Sequence, residues 1–118
     1  SRDKMYSGDK ATPEGRYEII KKIHNSKYHK ALLINYPNND DRRQFAIARK
    51  NGLIPRNAGI GGLIEVHGGG KNGMTYGCIA LDNRHMDELF HIVEAGTPIT
   101  IVGAIDYENS ISSAVSEL

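Results

Sequence analysis

The chain has 118 residues, of which 39% are apolar and 25% charged, with a formal charge of +1. Such a length suits one domain around one core, and such a composition excludes fibrous and intrinsically disordered classes. A charge this close to zero gives no reason to expect a nucleic-acid or acidic-membrane partner, and no apolar run approaches the roughly 18 residues of a membrane span or forms a signal-peptide core. A processed protein lacks its signal peptide in any case, so the compartment stays open on these grounds.

Ser1 to Gly15 is polar and holds two turn signatures, Gly8-Asp9 and Thr12-Pro13-Glu14-Gly15, which predict an ordered loop or arm. Arg16 to Ile23 is strand-like, with Tyr17, Ile19 and Ile23 expected on one face. Asn25 to Lys30 reads as a connecting turn. The apolar run Ala31 to Asn35, bounded by Tyr36-Pro37-Asn38-Asn39, reads as a buried strand. A helix is expected from Asp40 to Asn51, capped by Asp40 or Asp41 and stopped by Gly52.

Pro55, Gly59, Gly61 and Gly62 mark a loop that leads into a strand from Leu63 to His67. Alternation puts Leu63, Glu65 and His67 on one face and Ile64 and Val66 on the other. His67 then ends its strand beside Gly68-Gly69-Gly70. A main helix follows over 83–95, with Asp82 or Asn83 as N-cap and Met86, Leu89, Phe90 and Val93 on its apolar face. Gly96 and Pro98 end it. Ile99 to Val102 is a last strand, and in the tail Ile111 and Val115 could share one helical turn.

Cys78 is the only cysteine. No internal disulfide can form, and zinc sites that need several cysteines are excluded. A lone cysteine is either a small buried hydrophobe or a chemical group. Here it precedes a helix start, and His67 lies eleven residues upstream across a Gly-rich loop that can double back. A thiol becomes a nucleophile when an imidazole or aligned N–H groups stabilise its thiolate. Gly77 beside it would let the Gly77 and Cys78 N–H groups face a developing oxyanion.

Other polar clusters have simpler readings. His24 and His29 lie in a Lys-rich turn and are expected to be solvated, while His85 and His91 are too far apart around a helix to share a metal. Arg42, Arg43, Arg49, Lys50 and Arg56 read as a solvated face, with contact to substrate carboxylates as the functional alternative. The Gly runs at 59–62 and 68–70 lack nucleotide-loop spacing.

Val66-His67-Gly68, Thr75-Tyr76-Gly77-Cys78-Ile79 and the upstream Gly8-Asp9-Lys10-Ala11-Thr12-Pro13-Glu14-Gly15-Arg16-Tyr17 together resemble the catalytic domain of the L,D-transpeptidases, the YkuD-like family. The likeness runs from about Gly8 to Val102 and takes in Asn35-Tyr36-Pro37-Asn38 and Gly96-Thr97-Pro98. It implies a mainly β fold, a mixed β-sandwich or barrel with the 83–95 helix packed on it, and one catalytic domain over 1–118.

By position, the resemblance makes Cys78 the nucleophile, His67 its general base and Gly68 the carbonyl that orients the imidazole. Gly77, Tyr76 and Thr75 would form the oxyanion hole and its support. The implied substrate is a peptidoglycan stem peptide, cleaved through a Cys thioester in the periplasm or cell wall, with no metal or organic cofactor. A wall-linked protein, or a carbapenem as acylating ligand, would be further partners.

The sequence departs from the family pattern at several points. Tyr76 stands where His is common, Ala80 where Arg or Asn is common, the loop between His67 and Thr75 is short, and the given sequence starts only a few residues ahead of Gly8, where the family usually has further strands, so a lack of those strands is the expectation. Such departures resemble a branch that trims stems or releases proteins from them. Two alternatives to transfer onto an amine therefore stand: an L,D-carboxypeptidase or amidase, and a non-catalytic wall-binding module.

Overall fold

The computed structural model describes residues 3–70, 73–75 and 77–103. The expected helical turn at Ile111 and Val115 lies outside them. Six strands, β1 (Gly15–Ser26), β2 (His29–Ile34), β3 (Glu65–His67), β4 (Gly73–Thr75), β5 (Cys78–Ala80) and β6 (Pro98–Ile101), and two helices, α1 (Asn39–Lys50) and α2 (Asn83–Ile92), make up the described chain. The strands form one curled sheet in the order β4-β5-β3-β2-β1-β6. The mainly β expectation holds.

The curl originates in β1. Its first residues pair with β6, from Gly15 opposite Ile101 to Glu18 opposite Pro98, and its later ones with β2. An extra residue enters between Ile19 and Lys21, and such a bulge bends a strand and shifts its side chains to the other face. Tyr17 and Ile19 are buried before it, while Ile20 is exposed. After it the even positions face α2: the Lys22 ammonium sits 4.6 Å from the Phe90 ring centre, and His24 meets that ring edge-on. Ile23 therefore does not share the face of Tyr17 and Ile19, because the bulge resets the alternation.

The β1–β2 turn is tighter than the sequence suggests, with Ser26 opposite His29 across Lys27 and Tyr28. The hairpin tip is tied to α2, where the Asp87 carboxylate takes His29 Nε2 at 2.7 Å and Lys30 Nζ at 3.0 Å. Neither is a core contact.

Two apolar clusters fill the concave side. Ile19, Leu32, Val66, Met86, Phe90 and Val93 join the sheet to α2, and Tyr17, Ile34, Tyr36, Ile64 and Ile101 form the second. Helix α2 starts where expected, with Asp82 as N-cap accepting the His85 N–H. It ends at Ile92, short of Gly96, because the Val93 carbonyl accepts a bond from Lys22 Nζ at 2.8 Å and Val93 turns extended. Val93 stays in the core nonetheless.

Helix α1 is capped by Asn38, two residues before Asp40 and three before Asp41. Asn38 and Asp41 form a reciprocal capping box, which satisfies two N–H groups that a bare helix end leaves open. Asp41 also accepts from the Tyr17 hydroxyl at 2.9 Å and so ties the helix to β1. The basic residues 42, 43, 49, 50 and 56 are all exposed.

These placements set a ranking of stability costs. Met86 is fully buried, so Met86→Ala should cost about 3 kcal/mol in urea unfolding. Asn38→Ala should cost about 1 kcal/mol, the usual loss of an N-cap. Equal costs, or a larger one for Asn38, would contradict this packing.

Candidate active site

Strand β3 pairs antiparallel with β2 and parallel with β5. Val66 stands opposite Ile79 and His67 opposite Ala80. Side chains alternate along a strand, so His67, Ala80 and Cys78 project to one face of the sheet while Val66 and Ile79 go to the core. Cys78 is thus the diagonal neighbour of His67 on the adjacent strand. Strand β4 brings this about by turning antiparallel onto β5, with Thr75 opposite Cys78.

His67 is held on several sides. Its ring is buried, and Nδ1 lies 2.8 Å from the Gly68 carbonyl oxygen. A carbonyl can only accept, so Nδ1 carries a proton in this contact. The Tyr28 ring stacks on the imidazole with centres 4.5 Å apart. The Leu81 N–H fixes the His67 carbonyl at 2.8 Å.

The Gly68–Gly70 bend is what lets the Gly68 carbonyl reach back to the ring. Asn83, in the first turn of α2, accepts the Gly69 N–H at 2.7 Å. A Cβ on Gly68 would lie 2.8 Å from Asn83 Oδ1 and 3.0 Å from the Tyr28 carbonyl oxygen, so a side chain there would displace the brace. A Cβ on Gly70 would lie 2.5 Å from that of Ala80. The small Ala80 and the bare Gly70 therefore fit each other.

Cys78 is half-buried, and its thiol donates to the Leu63 carbonyl at 3.8 Å. Burial pushes the thiol's pKa above its ordinary value. The Glu65 N–H works against that rise, the Glu65 carboxylate adds to it and the Lys4 ammonium opposes it. A thiol kept protonated at neutral pH requires a base for its activation. Leu63 presents its carbonyl from a left-handed backbone, φ +54°, with its side chain 80% exposed. Strain of this kind in a non-glycine residue persists only where the surroundings enforce it.

Gly77 also has a left-handed backbone, φ +89°, and a Cβ there would stand 2.9 Å from the Ala11 carbonyl oxygen. The N-terminal arm thus lies directly against the turn before Cys78. Asp9 organises that arm. Its buried carboxylate accepts the N–H groups of Met5, Tyr6 and Ala11 and the Lys4 ammonium.

His67 and Cys78 stand on one face of neighbouring strands, with Gly68 directly after the first and Gly77 directly before the second. Tyr76 and the Thr75 side chain lie outside the described residues. Sequence reasoning missed Tyr28, Asn83, Leu63, Lys4 and Asp9. Only Gly8-Asp9 carried a signal, as a turn whose carboxylate could serve more than its own loop.

Two outcomes follow from this geometry. Gly77→Ala should cost about 2 kcal/mol or more, from the left-handed backbone and the Ala11 contact; urea unfolding like the wild type would refute the close approach. The rate of Cys78 alkylation by iodoacetamide should still be rising past pH 9.0, the ordinary value for the thiol. A plateau below pH 7 would reveal a preformed thiolate instead.

The arrangement has close structural relatives. The helical cell shape determining protein Pgp2 of Campylobacter jejuni superposes with a TM-score of 0.61 and 25% identity, over 95% of this chain and 39% of Pgp2. Bd1075 of Bdellovibrio bacteriovorus superposes with a TM-score of 0.57 and 23% identity, over 92% of this chain and 43% of Bd1075, and shares the fold. The chain thus spans about two-fifths of the length of these proteins. No curated protein matches its sequence. Residues 2–101 match the L,D-transpeptidase catalytic domain, YkuD, and the chain belongs to that family.

Proposed function

We propose that this domain cleaves peptidoglycan stem peptides by acyl transfer through Cys78. The observation that carries the reading is the parallel β3–β5 register, with His67 opposite Ala80 and Cys78 two residues before it on the same face. Membership of the L,D-transpeptidase family supports the substrate class.

In the proposed reaction, the thiol proton passes to Nε2 of His67 as sulfur attacks the carbonyl between an L-centre and D-Ala. The Nδ1–H bond to Gly68 steadies the imidazolium that forms. N–H groups of the Gly77–Cys78 turn meet the oxyanion, with Tyr76 and Thr75 supporting that turn. Collapse breaks the C–N bond, and the departing D-Ala amine takes the proton from His67. An acceptor amine then gives its proton to His67, attacks the thioester and releases the Cys78 sulfur. No step draws on a metal or organic cofactor.

Water as the acceptor is the second reading, and one feature favours it. Where transpeptidases of this family commonly carry Arg or Asn, Ala80 places only a methyl group beside His67, buried against Gly70. Nothing on that strand position can then anchor an acceptor stem. On either reading the domain works on the wall, in the periplasm or attached to peptidoglycan. No helix among the described residues is long and apolar enough to cross a membrane.

Incubation with purified muropeptides tests the proposal and separates the acceptors. Cross-linked products signify transfer to an amine; shortened stems or freed wall-linked peptide signify hydrolysis. Cys78→Ala should abolish either product, and His67→Asn should lower the rate at least about 100-fold, the usual worth of a general base. Unchanged turnover in Cys78→Ala would leave a wall-binding module as the better account.

A further inference from the structure

Among the described residues, the mechanism leaves one buried cation, Lys4, without a role. The Lys4 side chain is 5% exposed and that of Asp9 is 0% exposed, with 3.0 Å between Nζ and Oδ1. Removing an ammonium from water is costly, and a folded chain retains one where it is paired and hydrogen-bonded. Lys4 Nζ gives one proton to Asp9 and another to the Tyr6 carbonyl at 3.2 Å. An ammonium has a third proton to give. The nitrogen stands 3.7 Å from the point where a Gly77 Cβ would be, directly before the nucleophile.

We propose that Lys4 is a positioning residue for the nucleophile: its ammonium, fixed by Asp9 behind the Gly77 turn, favours the anionic form of Cys78 and of whatever oxyanion forms beside it. The inference rests on Cys78 being the nucleophile of the proposed function. Its physical basis is that a positive charge held beside the turn that carries Cys78, and shielded from water, stabilises a thiolate more than the same charge in water would.

The charges around Cys78 can be named. From β3 the Glu65 carboxylate opposes thiolate formation, and from the arm Lys4 favours it. His67 shares the face from β3, and Asp9 lies behind Lys4. Asp9 keeps its own charge although burial pushes its carboxyl up, because the N–H groups of Met5 and Ala11, Lys4 and the Tyr6 N–H together hold it below the usual carboxylate range. The arm therefore presents the turn with a lysine locked in place by six bonds: the four that Asp9 accepts, the Lys4 Nζ bond to the Tyr6 carbonyl and the Lys4 N–H bond to the Thr12 carbonyl.

Because Cys78 is the only cysteine, alkylation by iodoacetamide as a function of pH reads its thiolate alone and needs no turnover. A chain that proved catalytically silent would still give the answer for Lys4. Lys4→Met keeps the length and removes the charge, and should raise the midpoint enough to make alkylation at pH 7.5 about two- to threefold slower. Lys4→Arg keeps the charge and should leave the midpoint near that of wild type. Should Lys4→Met fail to fold with Asp9 unpaired, the double variant Lys4→Met/Asp9→Asn removes both charges and should still shift the midpoint upward, by less, because loss of the more distant Asp9 carboxylate itself favours the thiolate. A wild-type midpoint in either folded neutral variant, or a shift in Lys4→Arg as large as theirs, would overturn the proposal and leave Lys4 a packing element of the arm.

Discussion

The short parallel pairing of β3 with β5 is the constraint on which the site depends. Val66 opposite Ile79 commits one face of both strands to the core, and that fixes the other face for His67, Ala80 and Cys78. A slip of one residue would send the thiol into the apolar interior and bring Ile79 to the surface. Register is therefore protected by the same hydrophobic burial that holds α2 on the sheet. Three-residue strands have few ladder bonds of their own, so this protection matters more here than in a long sheet.

The remaining precision comes from loops anchored by side chains. Asn83 holds the Gly68–Gly69 bend, and that bend in turn holds the imidazole through a single carbonyl. Tyr28 closes over the ring from a hairpin tip that His29 and Lys30 moor to Asp87. On the far side, Asp9 shapes the arm that abuts Gly77. His67 and the turn before Cys78 are thus each backed by a polar hub from a distant part of the chain. Rigid support of this kind is what a site needs if its groups are to meet without reorganising.

Much of this frame was legible in the sequence. The strand ending at His67 was legible, but it begins at Glu65 rather than Leu63, because Leu63 has a left-handed backbone that no extended strand holds. The α2 face was readable from its 3.6-residue spacing, and its start from Asp82. Strands β4 and β5 were not readable, because three residues are too few for a period to show. The bulge in β1 and the early end of α2 depend on contacts between elements far apart in sequence, namely Lys22 with Phe90 and Val93. Tyr28, Asn83 and Lys4 were invisible for the same reason: each acts across the fold rather than within a motif.

The central claim is that Cys78 becomes covalently acylated with His67 as its base, and intact-mass spectrometry after mixing with a purified stem tetrapeptide tests it most directly. A transient adduct should appear, equal in mass to the peptide less its terminal D-Ala. It should map to the fragment containing Cys78, and it should form much more slowly when His67 is replaced by Asn. Release of D-Ala with no adduct at any time, together with an undiminished rate in His67→Asn, would contradict the account.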